Sequence, residues 1–111
     1  MSAEELKHKL REIFGNQVDF NKEFDGYAET IKNIDASLID WCLALQAGNI
    51  RALRAPKLAD GVVFIKKIGS SNRCIVIKIV NGEFKEIHLG DHAYYDKLRK
   101  VLGLKKDDKM H

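Results

Sequence analysis

The stretch from Val62 to Leu89, VVFIKKIGSSNRCIVIKIVNGEFKEIHL, decides the fold of this chain. It contains three apolar runs separated by two short turns. Runs of this length that are rich in Val and Ile and bounded by Gly, Ser and Asn are typical of strands. Because short turns join antiparallel neighbours, the stretch predicts a three-stranded antiparallel meander.

The second turn contains Asn81-Gly82. This dipeptide predicts a two-residue type I′ loop, because both central residues of that loop need positive φ, which Asn and Gly adopt at little cost. A loop of this kind fixes the strand register. The predicted opposite pairs are Val80 with Glu83, Lys78 with Lys85, Val76 with Ile87, and Ile75 with His88. Since directly opposite side chains share a face, the basic residues are predicted to gather on the sheet.

Strand alternation does not decide which sheet face is open, because both faces are predicted to be apolar. One predicted face holds Val62, Phe64, Ile75, Ile77 and Ile79. The other holds Val63, Ile65, Val76, Ile87 and Leu89. On the last predicted strand, His88 is equally compatible with a structural and a functional role.

Helical spacing of apolar residues appears on both sides of the meander. A first helix is predicted from Ser2 to Phe14, with Ser2 and Glu5 as a capping box and Gly15 as its end. A second helix is predicted from about Phe20 to Ile34.

A third helix is predicted after a cap at Asp35 or Ser37 and contains Trp41 as a core residue. A basic connector with the only proline, Pro56, follows it. After the strands, a short C-terminal helix is predicted before the charged tail, from the helical spacing of Tyr94, Tyr95, Leu98, Val101 and Leu102. The fold class is therefore α+β, with N-terminal helices, an antiparallel meander and a short C-terminal helix. We expect one domain over residues 1–111, with residues 1–35 as a helical N-terminal extension and residues 105–111 as a charged tail.

Composition narrows the class of protein. The chain has 111 residues, of which 45% are hydrophobic and 32% charged, and no run approaches the roughly 18 apolar residues of a membrane span. The first residues carry acidic groups and lack the apolar core of a signal peptide. We therefore expect a cytoplasmic protein with no membrane partner. Cys42 and Cys74 lie in apolar patterns without metal-ligand spacing, so we expect buried reduced thiols, no metal and no cofactor.

Positive charge is concentrated in the middle of the chain. Between residues 51 and 85 only Asp60 and Glu83 oppose a set of eight basic residues: Arg51, Arg54, Lys57, Lys66, Lys67, Arg73, Lys78 and Lys85. Such a block favours a polyanionic partner, with nucleic acid the commonest, although an ordinary solvated surface has the same composition.

Motifs of the common catalytic machines are absent from the sequence, including phosphate-binding glycine loops, GxSxG and HExxH. Any chemistry must then come from dispersed residues. Basic side chains on the strands, together with His88, His92, Tyr94 and Tyr95 near the end of the last strand, suit metal-independent RNA cleavage by the 2′-hydroxyl. In that reaction the protein supplies a proton acceptor, a proton donor and positive charge.

The stretch from Leu38 to Leu98 resembles the RelE/ParE superfamily of toxins from toxin–antitoxin pairs. The resemblance rests on a helix with Trp41, a basic connector with an R.L..P.L pattern, a glycine that opens a strand, an arginine that starts the next strand, and the final HLGDHAYY run. The connector and strand residues that match are Arg51, Leu53, Pro56, Leu58, Gly61 and Arg73.

The resemblance implies a ribosome-associated endoribonuclease that cleaves mRNA and is neutralised by an antitoxin protein. It implies that Arg73 contacts the scissile phosphate and that His92 and Tyr95 supply the acid–base group and a stacking ring. Lys66 or Lys67 would replace the usual strand arginine. Arg54 and Lys57 would stand for the basic residues of the connector. The charge pattern adds Arg51, Lys78 and Lys85 as candidate RNA contacts. The family's usual opening strand has no counterpart in the pattern before Leu38.

Two alternatives to the nuclease stay open. A gyrase-directed or non-catalytic member of the superfamily would keep the sheet and the antitoxin groove without needing the His92 and Tyr95 pair. A small RNA-binding or protein-interaction module without chemistry would need only the lysine-rich sheet.

Overall fold

The computed structural model describes residues 2–31 and 34–105, except the side chains of residues 35 and 36. Over these ranges the elements are α1 (Ala3–Phe14), β1 (Asp19–Phe20), α2 (Phe24–Thr30), α3 (Ile34–Gln46), β2 (Leu53–Arg54), β3 (Gly61–Ile68), β4 (Asn72–Ile79), β5 (Phe84–Asp91) and α4 (His92–Leu102). The predicted α+β class and the antiparallel meander β3–β4–β5 are confirmed. Apart from Lys105, the predicted charged tail lies outside the described residues.

The N-terminal helix matches its prediction. The Ser2 hydroxyl accepts from the backbone N–H of Glu5, and the Glu5 carboxylate accepts from the backbone N–H of Ser2, so the capping box is complete. Gly15 ends the helix with a φ of 110°. Leu6, Leu10 and Phe14 are buried along one stripe.

The next two helices differ from their predictions. Phe20 belongs to strand β1, and α2 spans only Phe24–Thr30. The Asn21 side chain is hydrogen-bonded to the backbone of Leu89 in both directions, so this segment extends the sheet edge and does not enter a helix. Helix α3 begins at Ile34, so Asp35 and Ser37 lie inside it and are not its cap.

The five strands form one mixed sheet in the order β1-β5-β4-β3-β2. All pairs are antiparallel except β1 with β5, which is parallel. Strand β1, which follows α1 and precedes α2, corrects the sequence interpretation that the segment before Leu38 contains no strand. Because β1 has only two residues, its sequence is too short to show the alternation of polar and apolar side chains that predicts a strand.

Both faces of the sheet are covered by helices. Helices α1, α2 and α3 pack on one face, and we call their shared core the N-terminal cluster; it contains Leu6, Leu38, Trp41, Cys42, Phe64, Cys74, Val76 and Ile87. Helix α4 packs on the other face, and its core is the C-terminal cluster, with Val63, Ile65, Ile75, Ile77, Tyr95 and Leu102. The predicted burial of Trp41 and of both free cysteines is confirmed.

The predicted face assignment of β3 against β4 was wrong. Phe64 pairs with Val76, and Ile65 pairs with Ile75. The three residues 69–71 between the strands set this register, and the sequence alternation alone could not fix how the runs are aligned.

The predicted register of the hairpin between β4 and β5 is correct away from the turn and wrong next to it. Val76 pairs with Ile87 and Ile75 with His88, as predicted, but Lys78 pairs with Phe84. The register shifts after Ile77, which leaves Lys85 without a partner across the ladder. The predicted pairs Lys78–Lys85 and Val80–Glu83 are therefore not formed.

The geometry of the turn between β4 and β5 causes this shift in register. Asn81 has a φ of 58°, but Gly82 is not among the residues with positive φ. The Gly82 N–H donates to the Ile79 carbonyl at 2.8 Å, and positive φ at the third position of such a turn is a type II feature rather than type I′. A bulge at Lys85 restores the alternation of the apolar residues beyond it.

Among the described residues, no helix is long and apolar enough to cross a membrane.

Candidate functional site

The strand register brings three of the predicted site elements to one corner of the sheet. Lys67 on β3 lies directly opposite Arg73 on β4, and Arg73 lies directly opposite Gly90 on β5. His92 follows Gly90 by two residues and is the first residue of α4. We call Lys67, Arg73 and His92 the basic corner. Lys66, as the neighbour of Lys67, points to the opposite face.

The three basic residues of this corner differ in accessibility. Lys67 and His92 are exposed, whereas Arg73 is buried, with 4% of its surface accessible. The Arg73 Nη1 group donates to the carbonyl of Asn72 at 3.0 Å. Lys67 and Arg73 are directly opposite each other, so two basic residues lie close together at this corner.

The start of α4 is held by its own cap. The Asp91 carboxylate accepts from the backbone N–H of Tyr94 at 2.8 Å. This hydrogen bond, assisted by the Tyr27 hydroxyl, lowers the pKa of Asp91. One turn further on, Arg99 is hydrogen-bonded to Asp96 and lowers its pKa, and the nearby His92 contributes in the same direction. His92 is therefore fixed in backbone position while its ring remains accessible.

Tyr95 does not join the accessible part of the corner. Its side chain is 3% exposed and packs in the C-terminal cluster between α4 and the sheet. A ring in this position has no open face on which a base could stack. Its placement follows from helical spacing with Leu98 and Leu102, which also face the sheet.

A hydrogen-bonded chain that the sequence interpretation did not assemble lies on the same sheet face. His88 is 8% exposed. Its Nδ1 atom lies 2.6 Å from the Tyr94 hydroxyl, and its Nε2 atom lies 2.7 Å from Glu86 Oε1. We call these residues the Tyr94–His88–Glu86 chain. The aromatic ring of Tyr94 is stacked near the imidazole, with centroids 6.0 Å apart.

The Tyr94 end of this chain is a hydrogen-bond donor. Burial, reinforced by the negative charge of Glu23, raises the pKa of Tyr94, so its hydroxyl keeps the proton. With the proton on Nε2, the His88 ring can accept from Tyr94 at Nδ1 and donate to the Glu86 carboxylate. Glu86 is thus held by a buried donor.

Gly90 makes this arrangement sterically possible. A Cβ atom at residue 90 would lie 2.5 Å from Cδ2 and 2.7 Å from Cγ of Tyr94. Because contacts this short are not tolerated, only glycine lets the Tyr94 ring rest on β5. The same glycine is the residue opposite Arg73, so the basic corner and the hydrogen-bonded chain meet there.

The remaining predicted RNA contacts are dispersed. The Lys78 ammonium lies 5.6 Å from the centre of the Phe84 ring, at the N-terminal cluster. Lys85 lies 3.5 Å from Glu83. Lys57 donates to the carbonyl of Lys100 and, through its backbone N–H, to that of Leu102, so it closes the C-terminal end of α4.

Arg51 and Arg54 are both exposed on the connector, where Arg54 belongs to the edge strand β2. Lys66 is half-buried on the face of the N-terminal cluster. The structure therefore does not bring the eight basic residues of residues 51–85 into one patch. The positive charges of that segment are distributed over both faces of the sheet and its β2 edge.

In comparisons with family models, with curated proteins and with solved structures, none matches this chain. Across the described residues, no group of three or more His, Cys, Asp and Glu side chains is arranged to hold a metal ion.

One signal in the sequence could have found the hydrogen-bonded chain. Glu86, His88 and Gly90 alternate along the last strand, so they share a face. The residue Tyr94 then lies on the first turn of the helix that folds back over that face. Its hydroxyl could have been expected near His88 once the helix was placed.

Proposed function

We propose that this protein is the toxin of a toxin–antitoxin pair with a RelE-like arrangement, and that it cleaves RNA without a metal. The observation that carries the proposal is the strand register, in which Lys67 lies opposite Arg73 and Arg73 lies opposite Gly90, two residues before His92. Two cations and an imidazole at one corner are the groups that a phosphodiester cleavage by the 2′-hydroxyl requires.

In the proposed reaction the 2′-oxygen attacks the adjacent phosphorus and the bond to the 5′-oxygen breaks. The exposed imidazole of His92 exchanges a proton with the reacting oxygens. Lys67 contacts the phosphate directly, and Arg73 contributes its charge from its buried position on β4. The product left on the upstream fragment is a 2′,3′-cyclic phosphate.

The element order supports the RelE-like part of the proposal. The short strand β1 follows α1, precedes α2 and α3, and lies along β5, and we assign it to the position of the family's opening strand. The helix with Trp41, the connector and the meander follow in the order on which the resemblance rests. A ribosome-bound mRNA as substrate and an antitoxin as partner come from that resemblance.

A second candidate is an RNA-binding module without chemistry. The burial of Tyr95 favours it, because the ring implied to stack on the substrate is enclosed in the core. Such a protein would use Lys67 and the connector residues for phosphate contacts and would not depend on His92.

Expression of the chain alone separates the two candidates. The wild type is expected to arrest growth and to produce new 5′ ends in translated messages. His92→Ala is expected to abolish both effects, because the exposed imidazole performs the proton transfer. The matched control is His8→Ala, which removes an exposed histidine from α1 and should leave the arrest unchanged.

Arg73 needs a different substitution. Because its side chain is 4% exposed, Arg73→Ala would leave a hole in the fold, so Arg73→Lys is the informative variant. Growth that continues unchanged during high expression of the folded wild type would contradict the toxin proposal. Arrest that persists in His92→Ala would favour the module without chemistry.

A further inference from the structure

A cleft of about 330 Å³ opens on the sheet face that α4 partly covers, and no residue of α4 lines it. Its volume is at the lower end of the roughly 300–1,000 Å³ of small-molecule sites. The cleft therefore fits a single nucleoside better than a larger ligand.

The walls of the cleft differ in polarity from one side to the other. On one side Leu58 packs against Gly61, where a Cβ atom would collide with the leucine side chain. The floor consists of Ile77 and Ile79 on β4. On the other side lies Glu86, directly opposite Ile77 in the ladder. A flat apolar ring can lie on this floor with its polar edge toward the carboxylate.

The polar side of the cleft is negative. Asp19 lies directly beside Glu86 in the parallel pair of β1 and β5. Lys85 also lines the cleft, but its ammonium is 3.5 Å from Glu83. Two neighbouring carboxylates repel a phosphate and attract N–H donors. This cleft is therefore electrostatically distinct from the basic corner.

Glu86 is prepared for binding by the residues behind it. Its Oε1 atom bonds to His88 Nε2 at 2.7 Å, and His88 is held in turn by Tyr94 at 2.6 Å. The Tyr94–His88–Glu86 chain fixes the carboxylate and uses one of its oxygens, which leaves the other for a ligand. A side chain that is already ordered loses less conformational entropy on binding.

We propose that this cleft binds a nucleobase that carries an amino group on its Watson–Crick edge, namely adenine, cytosine or guanine, and that Glu86 accepts the hydrogen bond of that amino group. Uracil is disfavoured, because it has no amino group and its single edge donor, N3–H, lies between two carbonyl oxygens that the carboxylates repel. The proposal rests on the RNA-directed function proposed above and deepens it by naming the base that is selected. Glu86 and Gly90 are four residues apart on β5, so the cleft lies about 13 Å from the basic corner at about 3.3 Å per residue.

Nucleoside titration of the purified protein, followed by amide NMR, tests this site without any cleavage. Cytidine, adenosine and guanosine are expected to shift the amides of Gly61, Ile77 and Glu86 and to bind at least tenfold more tightly than uridine. Glu86→Gln should weaken the binding of these three nucleosides about tenfold or more, since a hydrogen bond to a charged acceptor is lost.

The control is Glu29→Gln, which changes an exposed glutamate of α2 and should leave binding unchanged. Equal affinity for all four nucleosides would overturn the proposal. So would the absence of shifts at the cleft, or an unchanged affinity in a folded Glu86→Gln protein. Tyr94→Phe keeps the ring, removes only the hydroxyl that holds His88, and should give an intermediate loss.

Two further measurements distinguish RNA from a free nucleoside as the natural ligand. If the natural ligand is RNA, an oligocytidine should bind more tightly than cytidine, and Lys67→Ala should weaken only the oligonucleotide. Equal affinity of the two ligands would support the site and assign it to a free nucleoside. Nucleoside binding without growth arrest would contradict the toxin proposal alone, and His92-dependent arrest without nucleoside binding would contradict the cleft alone.

Discussion

At the scale of single residues, Gly90 connects the features that bear on function. It lies opposite Arg73 in the sheet, and it gives the Tyr94 ring the space that its contact with His88 requires. No conformational freedom is needed for this, since its φ is not in the positive range. What this position requires is the absence of a side chain, because any Cβ atom here would displace the Tyr94 ring.

Gly90→Ala is expected to destabilise the protein by about 1–3 kcal/mol, the usual cost of overpacking. The matched control is Gly26→Ala in α2, where a Cβ would meet no atom within 4 Å. Alanine there should stabilise the protein by about 0.5–1 kcal/mol, since glycine is the poorer helix former. Urea unfolding of the two variants measures both effects. A Gly90→Ala protein as stable as the wild type would show that Tyr94 does not depend on this space.

At the scale of elements, the edge strand β1 is short and depends on a side chain. It pairs through two residues only, Asp19 and Phe20. Asn21 continues the pairing because its amide donates to the Leu89 carbonyl at 3.0 Å and accepts from the Leu89 N–H at 2.9 Å. The side chain thus replaces one more residue of strand backbone.

Asn21→Asp should therefore destabilise the edge although the shape of the side chain is nearly kept. A carboxylate can accept from the Leu89 N–H but faces the Leu89 carbonyl oxygen where the amide donated. The expected loss is about 1–3 kcal/mol, the cost of leaving a buried acceptor unsatisfied. Hydrogen exchange at the Leu89 amide and chemical unfolding measure it. Asn49→Asp, at an exposed asparagine after α3, is the control and should change neither.

The elements also show what the sequence could predict and what it could not. The helix with Trp41, the capping box at Ser2 and the three strands follow from periodicity and capping chemistry, which are local. The strand β1 and the register beside Lys85 do not, because they depend on contacts between distant segments. Phe20 has helical spacing with Phe24 and Tyr27, yet pairing with Ile87 places it in a strand.

The same distinction applies to the candidate site. The sequence named Arg73 and His92, and the register places both at one corner. It assigned Tyr95 a role at the surface, but the direction of α4 puts that ring in the core and leaves the neighbouring Tyr94 to contact His88. Which of two adjacent tyrosines faces the sheet depends on the start of the helix, and Asp91 fixes that start.

At the scale of the whole molecule, the sheet separates two cores that share its strands. The N-terminal cluster and the C-terminal cluster lie on opposite faces, and neighbouring residues of β3 and β4 alternate between them. Loss of packing on one face should therefore weaken the other, because the strands that carry both cores are the same.

Leu102→Ala tests this coupling. Leu102 is 5% exposed in the C-terminal cluster, and its truncation should cost about 2–5 kcal/mol. The single tryptophan, Trp41, lies in the N-terminal cluster and reports on the other face. Tryptophan fluorescence and far-UV circular dichroism should shift to the same lower urea midpoint. Separate midpoints for the two signals would show that the faces unfold independently.

The parallel pairing of β1 with β5 also determines when the chain can complete its fold during synthesis. Asp19 pairs with Glu86, which is synthesised much later, so β1 leaves the ribosome well before the strand with which it pairs. Closing so long a loop is slow because its entropy is lost before the contact is gained. Until β5 has been synthesised, β1 is unpaired and Asp19 does not yet lie beside Glu86 at the nucleobase cleft. A partner that binds during synthesis would therefore meet the protein before that cleft has formed.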